Sequence, residues 1–463
     1  MEPRTNTSKS ALLLVVTATT FMGPFMVSGV NIILPAIDSE FSAGALLLSW
    51  IANAYLLSTA VMLVPAAKIA DMFGRKKIFV RGIALFSLAT VAIALTQNIQ
   101  QILGLRVLQG VGAAMISSTG IAIVSSVFPV SERGRAIGLT VAAVYVGLSS
   151  GPFVAGWLAS LWGWRIVFAA TFPLGIASFF LAVTMIRDEW APARGQPLDL
   201  AGIFLFGLSL ICLMTGLSRI PSPYGFLLLV TALICFYAFI RREAATDFPV
   251  VEIRLFQANR GFSFSSLAAL INYAATFAIA FYLSLYLQYI HALSPRTTGL
   301  VLMTQPVMMA VLSPLAGRLS DRFESGRLAS LGMALCAVGL FLLAWVDQTT
   351  PLSRIIVILF LMGAGFALFS SPNMNAIMSS VTPVHYGLAS GTVATMRLIG
   401  QMLSMAIATM FLAILIGGKQ ITPDNHDQFI LAVRLGFTTF CLLCLTGIYF
   451  SLARGTIHSG PER

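Results

Sequence analysis

Two arginines stand inside apolar stretches of the sequence, where a charged side chain is costly and usually has a function. Arg106 lies about one helical turn into an apolar segment, and Arg397 lies near the middle of another. Either guanidinium could bind an anionic or electron-rich group of a ligand, or take part in proton transfer. Snorkelling to the nearest surface is the alternative for Arg106, whereas Arg397 lies too deep for it.

Carboxylates that could match these arginines are missing from the apolar stretches. The 17 Asp and Glu residues fall at the edges of those stretches, in loops or in the tails, and so do the four histidines. A proton relay across a membrane usually needs such a group. Arginines without a carboxylate predict a positive potential, which favours neutral or anionic ligands over lipophilic cations. Because we find no metal-ligand spacing and no nucleophile with a base, we expect no metal site, no cofactor and no enzyme.

Other polar side chains lie within the apolar stretches and could line the path of a ligand. Each of them alone is more often an interhelical hydrogen bond. They are Asn31, Asn53, Tyr55, Gln109, Asn272, Tyr273, Gln305, Asn373, Asn375 and Gln401. Together with Arg106 and Arg397 they form the candidate substrate path.

The elements that carry these residues are predicted to be membrane helices. Hydrophobic residues make up 58% of the 463 and charged residues only 10%, against about 25% charged in a soluble protein. A spanning helix needs about 20 apolar residues, and fourteen such segments can be read along the chain. Pro221 and Pro223 separate the seventh from the eighth, because proline breaks a helix. The predicted fold class is all-α integral membrane, with fourteen transmembrane helices.

The net charge of +11 is explained by orientation in a membrane. With the N-terminus inside the cell, most of the 28 Lys and Arg fall in cytoplasmic loops, as the positive-inside rule requires. The even number of spans places both termini in the cytoplasm of a multi-pass protein of the cell (inner) membrane. We therefore expect the lipid bilayer to be a partner of this chain, and we expect no nucleic acid to bind. The five cysteines lie in apolar stretches, so we expect free, packed thiols.

Two polar loops resemble each other and indicate an internal repeat. The first, residues 67–76, contains Asp71, Gly74 and Arg75, and the carboxylate can pair with the arginine across the turn made by the glycine. The second, residues 317–327, has a two-residue insertion, so we expect a weaker pairing there. It carries Asp321, Arg322 and the inserted Glu324 and Ser325.

Repeats of this kind mark transporter folds. The repeat predicts an N-terminal six-helix bundle over residues 1–190 and a C-terminal six-helix bundle over residues 259–463. Residues 191–258 then supply two linker transmembrane helices and a cytoplasmic connector. The two bundles are expected to be pseudo-symmetric.

Two further motifs complete a resemblance to a known family. The fourth span carries Arg106-Val-Leu-Gln109-Gly110, and the fifth carries Gly147, Gly151-Pro152 and Gly156. With the loop at Asp71, these motifs resemble the major facilitator superfamily, and within it the fourteen-helix drug:proton antiporter branch. The resemblance covers nearly the whole chain.

The resemblance implies roles for several residues. The loop at Asp71, Gly74 and Arg75 would be a latch that opens during transport, and Asp321 with Arg322 would be its second copy. The fifth-span motif is associated with exporters, and the Arg106 motif with proton transfer or with a partner on the first or second span. The chain departs from the branch at Met26, where an aspartate that binds protons or cationic substrate is usual.

Two functions remain open at this stage. The first is a secondary-active transporter that exports small hydrophobic compounds, such as drugs or toxins, by proton antiport and alternating access. The second is an exporter or facilitator of a specific organic anion or metabolite, without the usual proton carboxylate in the first span. A non-transporting receptor or a membrane enzyme is a weaker third hypothesis, because the sequence has neither a long soluble loop nor a catalytic constellation. Protons are a candidate co-substrate, and a periplasmic adaptor is compatible with the sequence but not indicated by it.

Overall fold

The computed structural model describes residues 7–246, 256, 259–320, 322–381 and 386–454. Within these ranges the regular structure is helical, without a β-strand. The chain divides into two compact units. Unit 1 comprises Met1–Val251 with Ser294–Gly299, and unit 2 comprises Glu252–Leu293 with Leu300–Arg463. The predicted division into two bundles and a linker region stays a prediction.

Unit 1 contains nine helices among its described residues. They are α1 (Lys9–Phe41), α2 (Gly44–Phe73), α3 (Arg75–Ile93), α4 (Ile99–Val127), α5 (Val130–Trp162), α6 (Arg165–Ala169), α7 (Phe172–Met185), α8 (Leu200–Leu217) and α9 (Pro223–Ala245). The main packing pairs are α1 with α5, and α4 with both α2 and α3. Helices α8 and α9 pack against each other, and α8 also contacts α2.

The helices of the second half begin at Arg260. They are α10 (Arg260–Thr276), α11 (Ile279–Leu285), α12 (Pro295–Leu302), α13 (Thr304–Ser320), α14 (Ser325–Leu343), α15 (Leu352–Ser379), α16 (Tyr386–Leu415) and α17 (His426–Ala453). A π-helical turn over Tyr286–Ile290 follows α11. In unit 2, α15 packs against α13 and α14, and α10 packs against α16 and α17.

The helices have the length and composition of membrane spans. Thirteen helical stretches of the described chain are long and apolar enough to cross a bilayer. The remaining long helix, α3, misses this threshold because Arg75, Lys76, Lys77 and Arg81 all lie in its first two turns. Basic residues at the end of a span are tolerated, since their long side chains reach the surface. With α3 the helices give the predicted fold of fourteen spans.

The break between the two linker helices lies where the prolines predicted it. Helix α9 begins at Pro223, and the Ser222 hydroxyl accepts a hydrogen bond from the Gly225 backbone N–H at 3.2 Å. Proline suits the first helical turn because no intrahelical acceptor is available there for an N–H.

Helix α9 extends farther than the apolar segment of the sequence predicts. Residues 241 onward were expected to form a cytoplasmic loop, but the helix continues to Ala245 and buries Glu243 at 2% exposure. Nearby, the Asp199 carboxylate caps α8 through the Gly202 N–H and binds Arg242 Nε at 2.8 and 3.0 Å. These polar residues therefore join α8 to α9 rather than lying in a solvated loop.

Candidate functional site

Arg106 lies deep inside unit 1 and does not snorkel to the surface. Its side chain is only 1% exposed on α4. Nε donates to the Ile51 carbonyl oxygen at 2.9 Å, and Nη1 donates to Gln109 Oε1 at 2.5 Å. The guanidinium carbon lies 4.5 Å from the centroid of the Tyr55 ring, within the range of a cation–π contact. Among the described residues, no carboxylate lies within ion-pair distance of this cation.

Gln109 extends this network to a third helix. Its Nε2 donates to Thr90 Oγ1 on α3 at 2.7 Å. The predicted path residues Tyr55, Arg106 and Gln109 therefore form one connected group. A bonded chain of polar side chains inside an apolar unit is held more rigidly than isolated pairs. The group fixes where the positive charge sits.

Glycines of α4 bring the neighbouring helices close enough to build this network. A Cβ at Gly110 would lie 2.0 Å from Ser58 Oγ, and one at Gly112 would lie 2.6 Å from the Phe86 backbone nitrogen. The Gly110 carbonyl also accepts from Thr59 Oγ1 at 3.1 Å. Small residues permit this approach between membrane helices. The fourth-span motif thus combines a charge with the packing that buries it.

Helix α1 carries no carboxylate near its centre. Met26, which stands where the resemblance expects an aspartate, is fully buried. Asn31, farther along α1, and Asn53 on α2 are buried as well. The acidic residues of α1 are Asp38 and Glu40, both in its last turn. Among the described residues of α1, a buried carboxylate therefore occurs at the end of the helix, at Asp38, and not near Met26.

The loop between α2 and α3 contains the expected ion pair. Arg75 Nε donates to Asp71 Oδ1 at 2.6 Å. Its Nη1 also donates to Ser126 Oγ at 3.0 Å and to the Ala122 carbonyl at 3.3 Å, both on α4. Gly74, between the two charged residues, has φ +120°, a conformation that favours glycine. We call this arrangement the latch; its opening during transport stays a prediction.

Residues 187–196, which we call the connector, form hydrogen bonds with the residues of the latch. The Arg75 N–H donates to the Trp190 carbonyl at 2.8 Å. The Lys76 N–H donates to Glu189 Oε1 at 2.9 Å. These two N–H groups belong to the first turn of α3, which has no intrahelical acceptors for them. Glu189 and Trp190 therefore cap α3 from a distant part of the sequence.

The connector also holds the end of α2. The Ala193 N–H donates to the Asp71 carbonyl at 2.9 Å, and Lys68 Nζ donates to Gln196 Oε1 at 3.0 Å. Both helix ends that meet at the latch are thus hydrogen-bonded to one segment. These contacts could not be predicted from the sequence, because the partners are more than a hundred residues apart and form no short motif.

The motif of α5 makes close backbone contacts on two sides. A Cβ at Gly151 would lie 2.0 Å from Ser28 Oγ, and one at Gly147 would lie 2.7 Å from the Phe21 carbonyl, so this face packs on α1. Farther along, a Cβ at Gly156 would lie 2.3 Å from the carbonyl oxygen of Pro295.

The second contact is reciprocal. A Cβ at Gly299 would lie 2.3 Å from the Pro152 carbonyl oxygen. The segment Ser294–Gly299, which groups with unit 1, therefore touches α5 through backbone atoms at both ends. Glycine at both positions is required, since any side chain would push the two segments apart.

The predicted path residues of α10 and α15 lie in unit 2. Asn272 is fully buried, and neither of its amide atoms has a hydrogen-bond partner among the described residues. Tyr273 packs edge-to-face on Phe366 with ring centroids 5.4 Å apart. Asn375 Nδ2 donates to Ser320 Oγ at 2.5 Å.

The remaining predicted residues of this half form fewer hydrogen bonds with the described residues. Arg397 and Gln401 are half-buried on α16, and no described residue forms a hydrogen bond with either side chain. The Gln305 backbone carbonyl meets α15 at Gly363, where a Cβ would lie 2.5 Å away. Asp321 lies outside the described residues, and Arg322 is exposed. The second loop pair therefore stays a prediction.

Arg454 is a buried arginine, although the positive-inside rule predicts a basic residue on the cytoplasmic side there. It follows the last residue of α17 and is only 4% exposed. Its Nη1 donates to Asn373 Oδ1 at 3.0 Å. Asn373, a predicted path residue, thereby has its amide oxygen bound within the protein, and its Nδ2 donates to the Ser265 carbonyl at 3.1 Å. An arginine directly after an apolar span was the available signal, but the positive-inside rule accounts for that pattern equally well.

Comparisons with known proteins agree on the family. The Major Facilitator Superfamily matches residues 16–267 and again residues 265–461. The riboflavin transporter RibZ of Clostridioides difficile is 27% identical over 96% of this chain and 97% of its own length. The multidrug resistance protein Stp of Mycobacterium tuberculosis H37Rv is 29% identical, over 87% of this chain and 77% of its own.

Solved structures agree on the fold. A bacterial homologue of the human lysosomal transporter Spinster superposes with a TM-score of 0.70 at 16% identity, covering 96% of both chains. Relatives and fold are those of transporters and not of enzymes. The two matched ranges together span nearly all of the sequence. The chain belongs to the Major Facilitator Superfamily and is a multi-pass membrane transporter of small molecules.

Proposed function

We propose that this transporter exports small hydrophobic compounds by alternating access coupled to proton antiport. In this proposal it resides in the cell inner membrane with both termini in the cytoplasm. The name of Stp, a multidrug resistance protein, supports this substrate class.

The observation that carries the proposal is the backbone contact between α5 and the segment Ser294–Gly299. Gly156 and Gly299 let the two segments touch without side chains in between. Such a contact can separate and re-form without breaking a side-chain network, which suits a gate that must open in every cycle. In the branch that the sequence resembles, this glycine and proline motif is associated with export.

A second candidate function is export or facilitated passage of a specific organic anion. Its support is the guanidinium of Arg106, buried on α4 with neutral hydrogen-bond partners, together with Met26 in place of an aspartate. An uncancelled buried cation attracts carboxylates and other electron-rich groups and repels lipophilic cations. The relative RibZ, named a riboflavin transporter, shows that not every relative is named for drug resistance.

The experiment that tests the proposal is a transport assay with the purified protein in liposomes. A pH-sensitive dye is trapped inside, and ethidium, as a lipophilic cation, or fluorescein, as an organic anion, is added outside. Proton antiport of drugs predicts ethidium transport together with a change in internal pH. The organic-anion function predicts fluorescein transport, with no proton movement and no ethidium transport.

Variants sharpen the distinction. Arg106→Met removes the buried charge and should abolish fluorescein transport if the anion function is correct. Met26→Asp restores the carboxylate that the branch usually has, and should enhance ethidium transport under either function. Wild-type protein that moves neither ethidium nor protons, while it transports fluorescein, would falsify drug:proton antiport.

A further inference from the structure

Arg454 joins four helices of unit 2 at one point. Nε donates to the Ser451 carbonyl at 2.7 Å, and Nη2 donates to Ser451 Oγ at 2.6 Å, both on α17. Nη1 donates to Ser265 Oγ on α10 and to Asn373 Oδ1 on α15, each at 3.0 Å. Nη2 also reaches the Gly326 carbonyl on α14 at 3.5 Å. Acceptors from α10, α14, α15 and α17 thus surround one guanidinium.

All of these acceptors are neutral. Among the described residues, no carboxylate lies within ion-pair distance of Arg454. Burial lowers the pKa of Arg454 to about 10, with Glu324 acting in the opposite direction, so the side chain stays charged at neutral pH. A buried charge is tolerated when its hydrogen bonds are satisfied, and losing them is costly. The acceptors are therefore held tightly around the guanidinium.

In unit 1, the bridging arginine belongs to the latch. There, Arg75 at the start of α3 binds Asp71 at the end of α2 and reaches α4. In the second copy of the loop, Gly326-Arg327 aligns with Gly74-Arg75. The Arg327 side chain is 80% exposed and pairs with Glu324 three residues earlier, at 2.8 Å. Arg327 thus makes a local surface pair rather than a bridge between helices.

We propose that Arg454 is a positioning residue for transport, which does for unit 2 what Arg75 does for unit 1. It holds the ends of α10, α14, α15 and α17 together, so that these helices move as one body in the transport cycle. The bridging arginine of unit 2 comes from the last span instead of from the repeated loop. The proposal rests on the chain being a transporter, and not on which compound it carries.

The test combines hydrogen–deuterium exchange with transport, on full-length protein in lipid. Arg454→Gln removes the charge, Arg454→Lys keeps the charge but cannot bridge three helices at once, and Arg327→Gln is the matched surface control. In both Arg454 variants we expect amides at the start of α14 and around Ser265 to exchange at least about tenfold faster than in the wild type. Arg327→Gln should exchange as the wild type does.

A milder variant and a kinetic measurement keep the proposal testable if Arg454→Gln does not fold. Asn373→Ala removes one acceptor and should reproduce part of the effect, less than additively when combined with Arg454→Lys. In ethidium uptake by proteoliposomes, the maximal rate should fall about tenfold while the half-saturating concentration stays within about twofold. Loss of a residue that merely stabilises the fold would speed exchange throughout the chain, rather than selectively at the start of α14 and around Ser265.

The proposed drug export and the proposed positioning role of Arg454 can fail independently of each other. Wild-type protein that carries no ethidium counts against drug export, and exchange then decides the role of Arg454 alone. Unchanged exchange in Arg454→Lys overturns the positioning role. Faster exchange with an unchanged maximal rate of ethidium uptake also overturns it, because the bridge would then be irrelevant to transport.

Discussion

Replacing Gly74 by alanine tests whether the connector belongs to the latch. Gly74 has φ +120° and ψ 124°, in a region that residues with a side chain rarely adopt. An added Cβ would lie 2.5 Å from Glu189 Cδ and 2.6 and 2.8 Å from its two carboxylate oxygens. The alanine must therefore strain the backbone and displace the carboxylate that caps α3.

The magnitude follows from these two effects. Holding a non-glycine residue at such a φ costs about 1 to 3 kcal/mol. Losing a helix cap costs about 0.5 to 2 kcal/mol. Because Glu189 is exposed, the value for the cap belongs in the lower part of its range. We expect the latched conformation to lose about 2 to 4 kcal/mol relative to the released one.

Limited trypsin digestion measures the release of the connector directly. Arg187 and Arg194 are exposed cleavage sites within it, and cleavage of a transiently released segment follows the population of the released form. Gly74→Ala should raise the cleavage rate by about thirty- to nine-hundredfold at 25 °C. Gly195→Ala is the matched control: φ is +85° there, but no atom lies within 4 Å of the added Cβ.

The double variant Gly74→Ala with Glu189→Ala separates the clash from the strain. Removing the Glu189 side chain relieves the clash but not the backbone strain, so the two substitutions should be clearly non-additive. If Gly74→Ala and Gly195→Ala are cleaved at the same rate, or if the double variant is strictly additive, the connector is not part of the latch and the reasoning is refuted.

Three further predictions concern the transport rate in proteoliposomes and the melting temperature in detergent. Arg106→Met removes two charge-assisted hydrogen bonds of about 1.5 to 3 kcal/mol each and should lower the transport rate by about two to four orders of magnitude; a rate near wild type would remove Arg106 from the site. Gly156→Ala should lower the maximal rate about tenfold or more, because the methyl would overlap the Pro295 carbonyl, whereas Gly138→Ala, with open space around it, should stay within about twofold. Arg397→Ala should change the transport rate but shift the melting temperature by less than about 2 °C, since no described residue forms a hydrogen bond with that side chain; a large loss of stability would contradict a role in binding.

What the sequence could predict was local. Runs of apolar residues specify spans by length alone, so the fourteen helices and the break at Pro223 followed from hydropathy and proline. The pair of Asp71 and Arg75 is four residues apart on adjoining helix ends, and spacing suffices to place such partners together. The glycines of α4 and α5 also indicated close packing, because few other residues allow backbones to touch.

What the sequence could not predict depends on distant partners. Ser265 and Asn373 are 189 and 81 residues from Arg454, so nothing in its neighbourhood separates a buried bridge from a basic residue at a membrane surface. Glu243 was assigned to a loop because it follows Arg241 and Arg242, although α9 continues past it. Charge at the end of a span is ambiguous until the neighbouring helices are known.

The connector gives the two linker helices a physical link to the latch. Its last latch contact, at Gln196, is three residues before Asp199, which caps α8 and binds Arg242 on α9. Release of Glu189 from α3 therefore loosens the segment that leads directly into α8. Over such a short stretch the chain cannot absorb a displacement without moving the Asp199 cap or breaking the Lys68 contact. Opening of the latch and movement of α8 and α9 are thus expected to be coupled.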